Sequence, residues 1–132
     1  MLVNDPISKH MTRMPHSIEP HQSAQSAKKR MNELGCHHLP VLLERKVIGV
    51  LSERDLLYLE SFRDVDMTKT LVVEAMIEDP LMVRETDLLG DVAARMVEER
   101  VGSVLVTPDG ERLTGIFTNT DALKVIAQQQ NN

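Results

Sequence analysis

The chain repeats itself. Gly49-Val50-Leu51-Ser52-Glu53-Arg54-Asp55 returns as Gly115-Ile116-Phe117-Thr118-Asn119-Thr120-Asp121, and the landmarks upstream return with it. Ile7, Met11 and Pro15 answer to Val72, Met76 and Pro80, each 65 residues later, while the glycine and aspartate follow at 66. The single-residue slip marks a loop that has grown in the second copy. A repeat of this period in which small, polar and acidic residues keep their places restricts the fold to two like units, and it duplicates sites as well as cores.

With 132 residues in all, each half is near the size at which a domain is marginal alone, so the two copies are expected to share one interface. Division falls at residues 1–63 for the first repeat, 64–69 for a polar linker and 70–132 for the second. Hydrophobic residues make up 42% and charged residues 27%, the balance of a globular protein, and no apolar run approaches the roughly 20 residues needed to span a bilayer. Residues 1–9 show no signal-peptide pattern. Cys36 is the lone cysteine, which excludes an intrachain disulfide and points to a reducing, cytoplasmic setting. A net charge of -5 opposes binding to a phosphate backbone, and Tyr58, Phe62 and Phe117 are a poor supply for stacking bases, so neither nucleic acid nor membrane is an expected partner.

Each half reads in the same order. Residues 22–34 place Ala24, Ala27, Met31 and Leu34 on one helical face, with Gly35 as the stop. Apolar runs over 39–43 and 47–51 flank the polar turn Glu44-Arg45-Lys46, and Ser52 opens a helix with Leu56, Leu57, Leu59 and Phe62 as its apolar residues. In the second half Leu88, Leu89, Val92, Ala93, Met96 and Val97 form the helical stripe. Strands are expected over 103–107 and 112–117, joined by Pro108-Asp109-Gly110-Glu111. The last helix spans about 119–128, and the Gln and Asn tail beyond it is expected to fray. Short extended segments after Pro15 (His16-Ser17-Ile18) and after Pro80 (Leu81-Met82-Val83) complete β-α-β-β-α in each half. The fold class is α+β (α/β), with two such repeats packed sheet to sheet about a pseudo-twofold axis.

Ser52 and Thr118 each end a strand and begin a helix, where backbone N–H groups and the positive helix end favour a phosphate. One turn on, Asp55 and Asp121 offer carboxylate oxygens suited to the two adjacent donors of a ribose diol. The same Ser/Thr-x-x-Asp spacing is that of a capping box, and the cap and the site are compatible.

The β-α-β-β-α order, the Met-x-x-x-Pro entry, the His38-Leu39-Pro40-Val41 strand and the Gly-h-h-Ser/Thr-x-x-Asp close, where h is apolar, resemble the CBS-domain family. From Ile7 to about Ile126 the chain looks like a tandem pair, or Bateman module, standing alone. The resemblance implies a regulatory, energy-sensing module that binds AMP, ADP, ATP or S-adenosylmethionine between repeats, requires no cofactor and signals to an unidentified regulated protein. It also implies a homodimer, parallel or antiparallel. Carried over residue by residue, Thr118, Asn119 and Asp121 meet His16, Ser17, Ile18 and the His37-His38-Leu39-Pro40 edge. Ser52, Arg54 and Asp55 meet Leu81, Met82, Val83 and Gly102-Ser103. Only the first set has basic side chains, His37 and His38, where the family places one for phosphate. The Asp121 site is therefore the expected nucleotide site, weakening as histidine loses its charge above about pH 6.5.

Two rival readings stay open. In one, the motifs are only caps and the chain is an interaction scaffold. An enzyme is disfavoured by the lack of a nucleophile-base constellation. His10, His16, His21, Cys36, His37 and His38 lack metal-ligand spacing, so no metal site is expected. Cys36 aligns with Val101 and reads as a small buried hydrophobe.

Overall fold

The structure, a computed structural model, describes residues 1–129. In chain order its elements are β1 (Thr12–Arg13), α1 (Ala24–Leu34), β2 (His38–Leu43), β3 (Lys46–Ser52), α2 (Glu53–Glu60), α3 (Val72–Ala75), β4 (Met82–Val83), α4 (Leu89–Glu99), β5 (Ser103–Val106), β6 (Gly115–Thr118) and α5 (Asn119–Gln129), with short 3-10 turns at Leu2–Asn4 and Ile7–Lys9. It is a mixed α/β chain, and the second half follows the expected order while the first lacks its opening strand. The expectation of a frayed tail past residue 129 lies outside the described residues.

The chain packs as two compact units, His16–Pro80, and Met1–Pro15 with Leu81 onward. In the first, α1 and α2 cover the β2–β3 hairpin. Ala24, Ala27 and Met31 from α1 and Leu56 from α2 pack with Leu39, Val41 and Leu51, each side chain removed from water stabilising by the usual ~25 cal/mol per Å² of apolar surface. Ser23 caps α1 by accepting a hydrogen bond from the Ser26 amide at 3.1 Å, and Gly35 ends the helix with φ of 67°, a left-handed conformation in which a Cβ would be strained. The second unit is a four-stranded sheet in the order β1-β6-β5-β4, with Val83, Val92, Met96, Val104, Phe117 and Val125 in its core.

Two parts of the first unit repeat that sheet in reduced form. Ile18 bridges Val41 of β2 in parallel, and Ile77 bridges Val50 of β3 in antiparallel fashion. The strand expected over His16–Ile18 is thus a single bridge, whereas its copy forms β4. Pro40 is the cause. The Ile18 amide donates to Pro40 O and the Leu42 amide to Ile18 O, but the next rung of a parallel ladder would need an N–H at residue 40, which proline lacks. At the matching place in the second copy Leu105 supplies that N–H to Leu81 O at 2.9 Å.

Several apolar residues assigned to helix stripes face outward instead. Leu57 is 56% exposed and Val97 79%. Each directly follows a core residue, Leu56 or Met96, and one residue along a helix turns the side chain by about 100°. Leu34 and Phe62 are also exposed, since they sit on the last turn of α1 and past the end of α2. The last strand starts at Gly115, not Arg112, because Asp109 folds residues 109–112 into a turn by accepting from the Glu111 and Arg112 amides. The polar segment 64–69 is pinned to its unit. Met67 packs against the core, and its carbonyl accepts from the Gln25 amide at 3.0 Å.

Candidate functional site

Each unit contains one strand-to-helix corner carrying the repeated motif. At the first, Ser52 Oγ accepts from the Asp55 amide at 3.1 Å, while Asp55 Oδ2 accepts from the Ser52 amide at 3.0 Å and from Ser52 Oγ at 2.8 Å. At the second, Thr118 and Asp121 make the same three bonds at 3.3, 2.9 and 3.2 Å. Both capping boxes are therefore closed, and both use only Oδ2 of the acid. Asp55 Oδ1 takes no part in its box. Asp121 Oδ1 receives a long contact of 3.4 Å from the Thr12 hydroxyl.

The corners also account for most of their first-turn amides. The Glu53 amide donates to His37 O at 2.8 Å and the Asn119 amide to Gly102 O at 3.1 Å. With Asp55 N and Asp121 N engaged by the caps, the amides of Arg54 and Thr120 are the first-turn donors these bonds leave over. A phosphate at either helix start would meet one such donor together with the helix dipole.

Within the unit 16–80 the β2–β3 register places His38 opposite Ser52, so His37 and His38 adjoin the Ser52 corner. His37 Nδ1 pairs with Glu53 Oε2. His16 is exposed, Ser17 is half-buried, and Ile18 is 3% exposed. Pro40 is buried and Arg54 is exposed. In the other unit Ser103 lies opposite Thr118 in the β5–β6 register, Leu81 and Val83 are buried, Met82 is half-buried and Asn119 is exposed. Within its own unit each corner thus adjoins the start of the strand opposite it, His37 and His38 at Ser52 and Gly102 and Ser103 at Thr118. Glu53 and Thr12 were not singled out from the sequence. Thr12 follows Met11 in the entry motif, but its copy is Ile77, so the repeat itself hides the hydroxyl.

Burial raises the Cys36 thiol above its ordinary range, in keeping with a packed hydrophobe and against a ready nucleophile. Among the described residues no three His, Cys, Asp or Glu side chains converge on a metal-sized position.

Two like α/β units, each closing on a strand-to-helix corner with a hydroxyl and an acid, define a duplicated α/β module. The chain belongs to the CBS domain family, whose sequence profile matches residues 7–61 and 64–128 as a tandem pair. It is 25% identical to the uncharacterized protein MJ1225 of Methanocaldococcus jannaschii over 134 residues, covering 94% of this chain and 48% of that protein. It is 26% identical to an inosine-5'-monophosphate dehydrogenase of Korarchaeum cryptofilum, covering 80% of this chain and 21% of that enzyme. The chain thus spans about half or less of the length of these relatives. Among solved structures, an uncharacterized conserved protein from Pyrococcus horikoshii superposes with a TM-score of 0.86 at 25% identity, covering 96% of this chain and 95% of that one. CBSX2, solved in complex with AMP, superposes with a TM-score of 0.82 at 28% identity, covering 96% and 99%.

Proposed function

We propose that this chain is a regulatory module that binds an adenine nucleotide or adenosyl ligand at its Ser/Thr-x-x-Asp corners and passes occupancy to a separate protein. The observation that carries the reading is that both motif acids hold their capping box with Oδ2, which leaves Oδ1 of Asp55, and of Asp121 beside its long contact with Thr12, with acceptor capacity for a ribose diol. The AMP complex of CBSX2 supports adenine as the base. The resemblance adds His37 and His38 as the phosphate-holding wall for Asp121, with the Asp55 corner the weaker or empty one. The exposed apolar residues Leu57 and Tyr58 on α2, and Leu123 and Ile126 on α5, support self-association through helices. A cytoplasmic setting suits such ligands.

Thermal stability measured with AMP, ADP, ATP, S-adenosylmethionine and NAD tests the reading on the native chain and on Asp55→Asn and Asp121→Asn, which keep an amide oxygen for the cap. A true ligand at a hundred times its dissociation constant adds about 2.7 kcal/mol, and the variant at the occupied corner loses most of it. No shift with any of the five would leave the chain a scaffold, and turnover of a ligand would make it an enzyme.

A further inference from the structure

The first unit contains a second concavity, remote from its motif corner. In the β2–β3 hairpin His38 faces Ser52 at one end and Leu43 faces Lys46 at the other, so the two ends lie roughly 17 Å apart along the strands. At the Leu43 end there is a groove of about 630 Å³ between the hairpin turn, the segment after Ile18 and Arg30 of α1. That volume suits a metabolite better than a bare ion.

Arg30 is half-buried, and its Nε donates to Ser17 O at 3.1 Å. This bond fixes the plane of the guanidinium and uses neither Nη. Arg45 enters from the turn, where Glu44 and Arg45 have φ of 50° and 70°. A two-residue hairpin turn with both residues in the left-handed region favours Asn-Gly, so two long charged side chains are held at the cavity in a conformation that a functional role explains better than a structural one. Among the described residues neither guanidinium has an ion-pair partner.

The second copy serves as an internal control. It has a groove of about 450 Å³ at the same place, but Arg95, 65 positions after Arg30, pairs with Glu99 at 3.4 Å. Its turn has Gly110 at φ of 82°, and Asp109 closes on its own backbone. The second groove is lined by the exposed Arg84 where the first has Glu19, so what sets the first copy apart is a half-buried guanidinium anchored to Ser17 O.

We propose that the first-unit groove binds a small monocarboxylate, held in the Arg30 fork and by Arg45, with its carbon skeleton on Pro20 and Leu42. A carboxylate matches the planar fork bidentately. The rim carboxylates Glu19 and Glu44 disfavour a doubly charged anion such as phosphate. The groove shares Ser17 and Ile18 with the nucleotide wall, but Arg30 and Arg45 have no part in that reading.

Backbone amide NMR of the full chain, titrated to about 10 mM with amino acids, 2-hydroxy acids, 2-oxo acids and inorganic phosphate, tests it. The expected result is a saturable shift with a monocarboxylate, confined to residues 17–22, 30 and 42–45. Arg30→Lys keeps the charge without the fork and Arg45→Gln alters an exposed side chain, and each weakens binding about tenfold or more, whereas Asp55→Asn and Asp121→Asn leave it unchanged. No saturable shift with any carboxylate, a stronger response to phosphate, or affinity equal to the native chain's in both arginine variants overturns the proposal.

Discussion

Met11 lies over Gly115, and Met76 lies over Gly49. A Cβ built on Gly49 would fall 2.6 Å from Met76 Sδ and 2.7 Å from Ile77 O, and one on Gly115 would meet the Met11 sulfur and methyl group. The two most recognisable apolar and small landmarks of the repeat are thus partners of each other. They are exchanged, because the methionine from one sequence copy packs on the glycine from the other. This exchange is how Met1–Pro15 comes to share a unit with the second copy's sheet, through the pairing of Thr12 and Arg13 with Ile116 and Gly115.

Replacing either glycine by alanine therefore overpacks its site, against a backbone carbonyl at Gly49 and against the Met11 side chain alone at Gly115. Gly49→Ala is the more costly, since the Ile77 carbonyl belongs to an antiparallel bridge with Val50 and cannot move as a thioether can. A loss of about 1–3 kcal/mol is expected for each, read as a lower urea midpoint. In a Met11→Ala background the Gly115→Ala step should cost less than it does in the native chain, because the space is already made, and an unchanged cost would mean that the methionine is not the obstacle.

The capping boxes yield a second expectation. Ser52→Ala removes the acceptor for the Asp55 amide and the donor to Asp55 Oδ2, and should cost about 1 kcal/mol. Ser52→Thr should cost little, because Thr118 makes the same bonds in the other copy. Equilibrium unfolding of the three proteins decides the matter, and an unchanged alanine variant would show that the box contributes nothing.

Element order, the helix caps at Ser52 and Gly35, and the duplicated motif were legible because each is set by residues within a few positions of one another. What was not legible depends on distant partners. Pro40 shortens a strand 22 residues upstream by withholding one N–H. The Met11–Gly115 contact spans most of the chain, and no local pattern announces it. At the candidate site the acid and hydroxyl were readable from spacing. The neighbour of His37, Glu53, was not, since it depends on the Glu53 amide docking on the His37 carbonyl.

Acid should loosen the second hairpin turn. The Arg112 and Glu111 amides, with a smaller contribution from Thr107, hold the Asp109 carboxyl below its ordinary value of 3.8. A carboxylate depressed in the folded state contributes its stability above the unfolded value and loses it as pH falls through the folded one. The native chain should thus lose more stability between about pH 5 and pH 3 than Asp109→Asn, which has no charge to lose. Denaturant midpoints across that range check this. Asp5, depressed chiefly by its hydrogen bond to His10, adds to the acid loss in both proteins and so cancels from the comparison.

The pairing of His37 with Glu53 bears on nucleotide affinity. If His37 holds phosphate, as the resemblance implies, Glu53 competes for it as a rival anion at the same ring nitrogen. Glu53→Gln should then strengthen AMP binding by up to about tenfold, equivalent to 1.4 kcal/mol. Removing a carboxylate also lowers general repulsion of phosphate, but that effect would persist without the imidazole. Calorimetry on the native chain, Glu53→Gln and Glu53→Gln with His37→Asn separates the two. A gain abolished in the double variant assigns the phosphate contact to His37. A gain that survives loss of the imidazole removes His37 from the site and leaves the Arg54 or Thr120 amide as the phosphate donor.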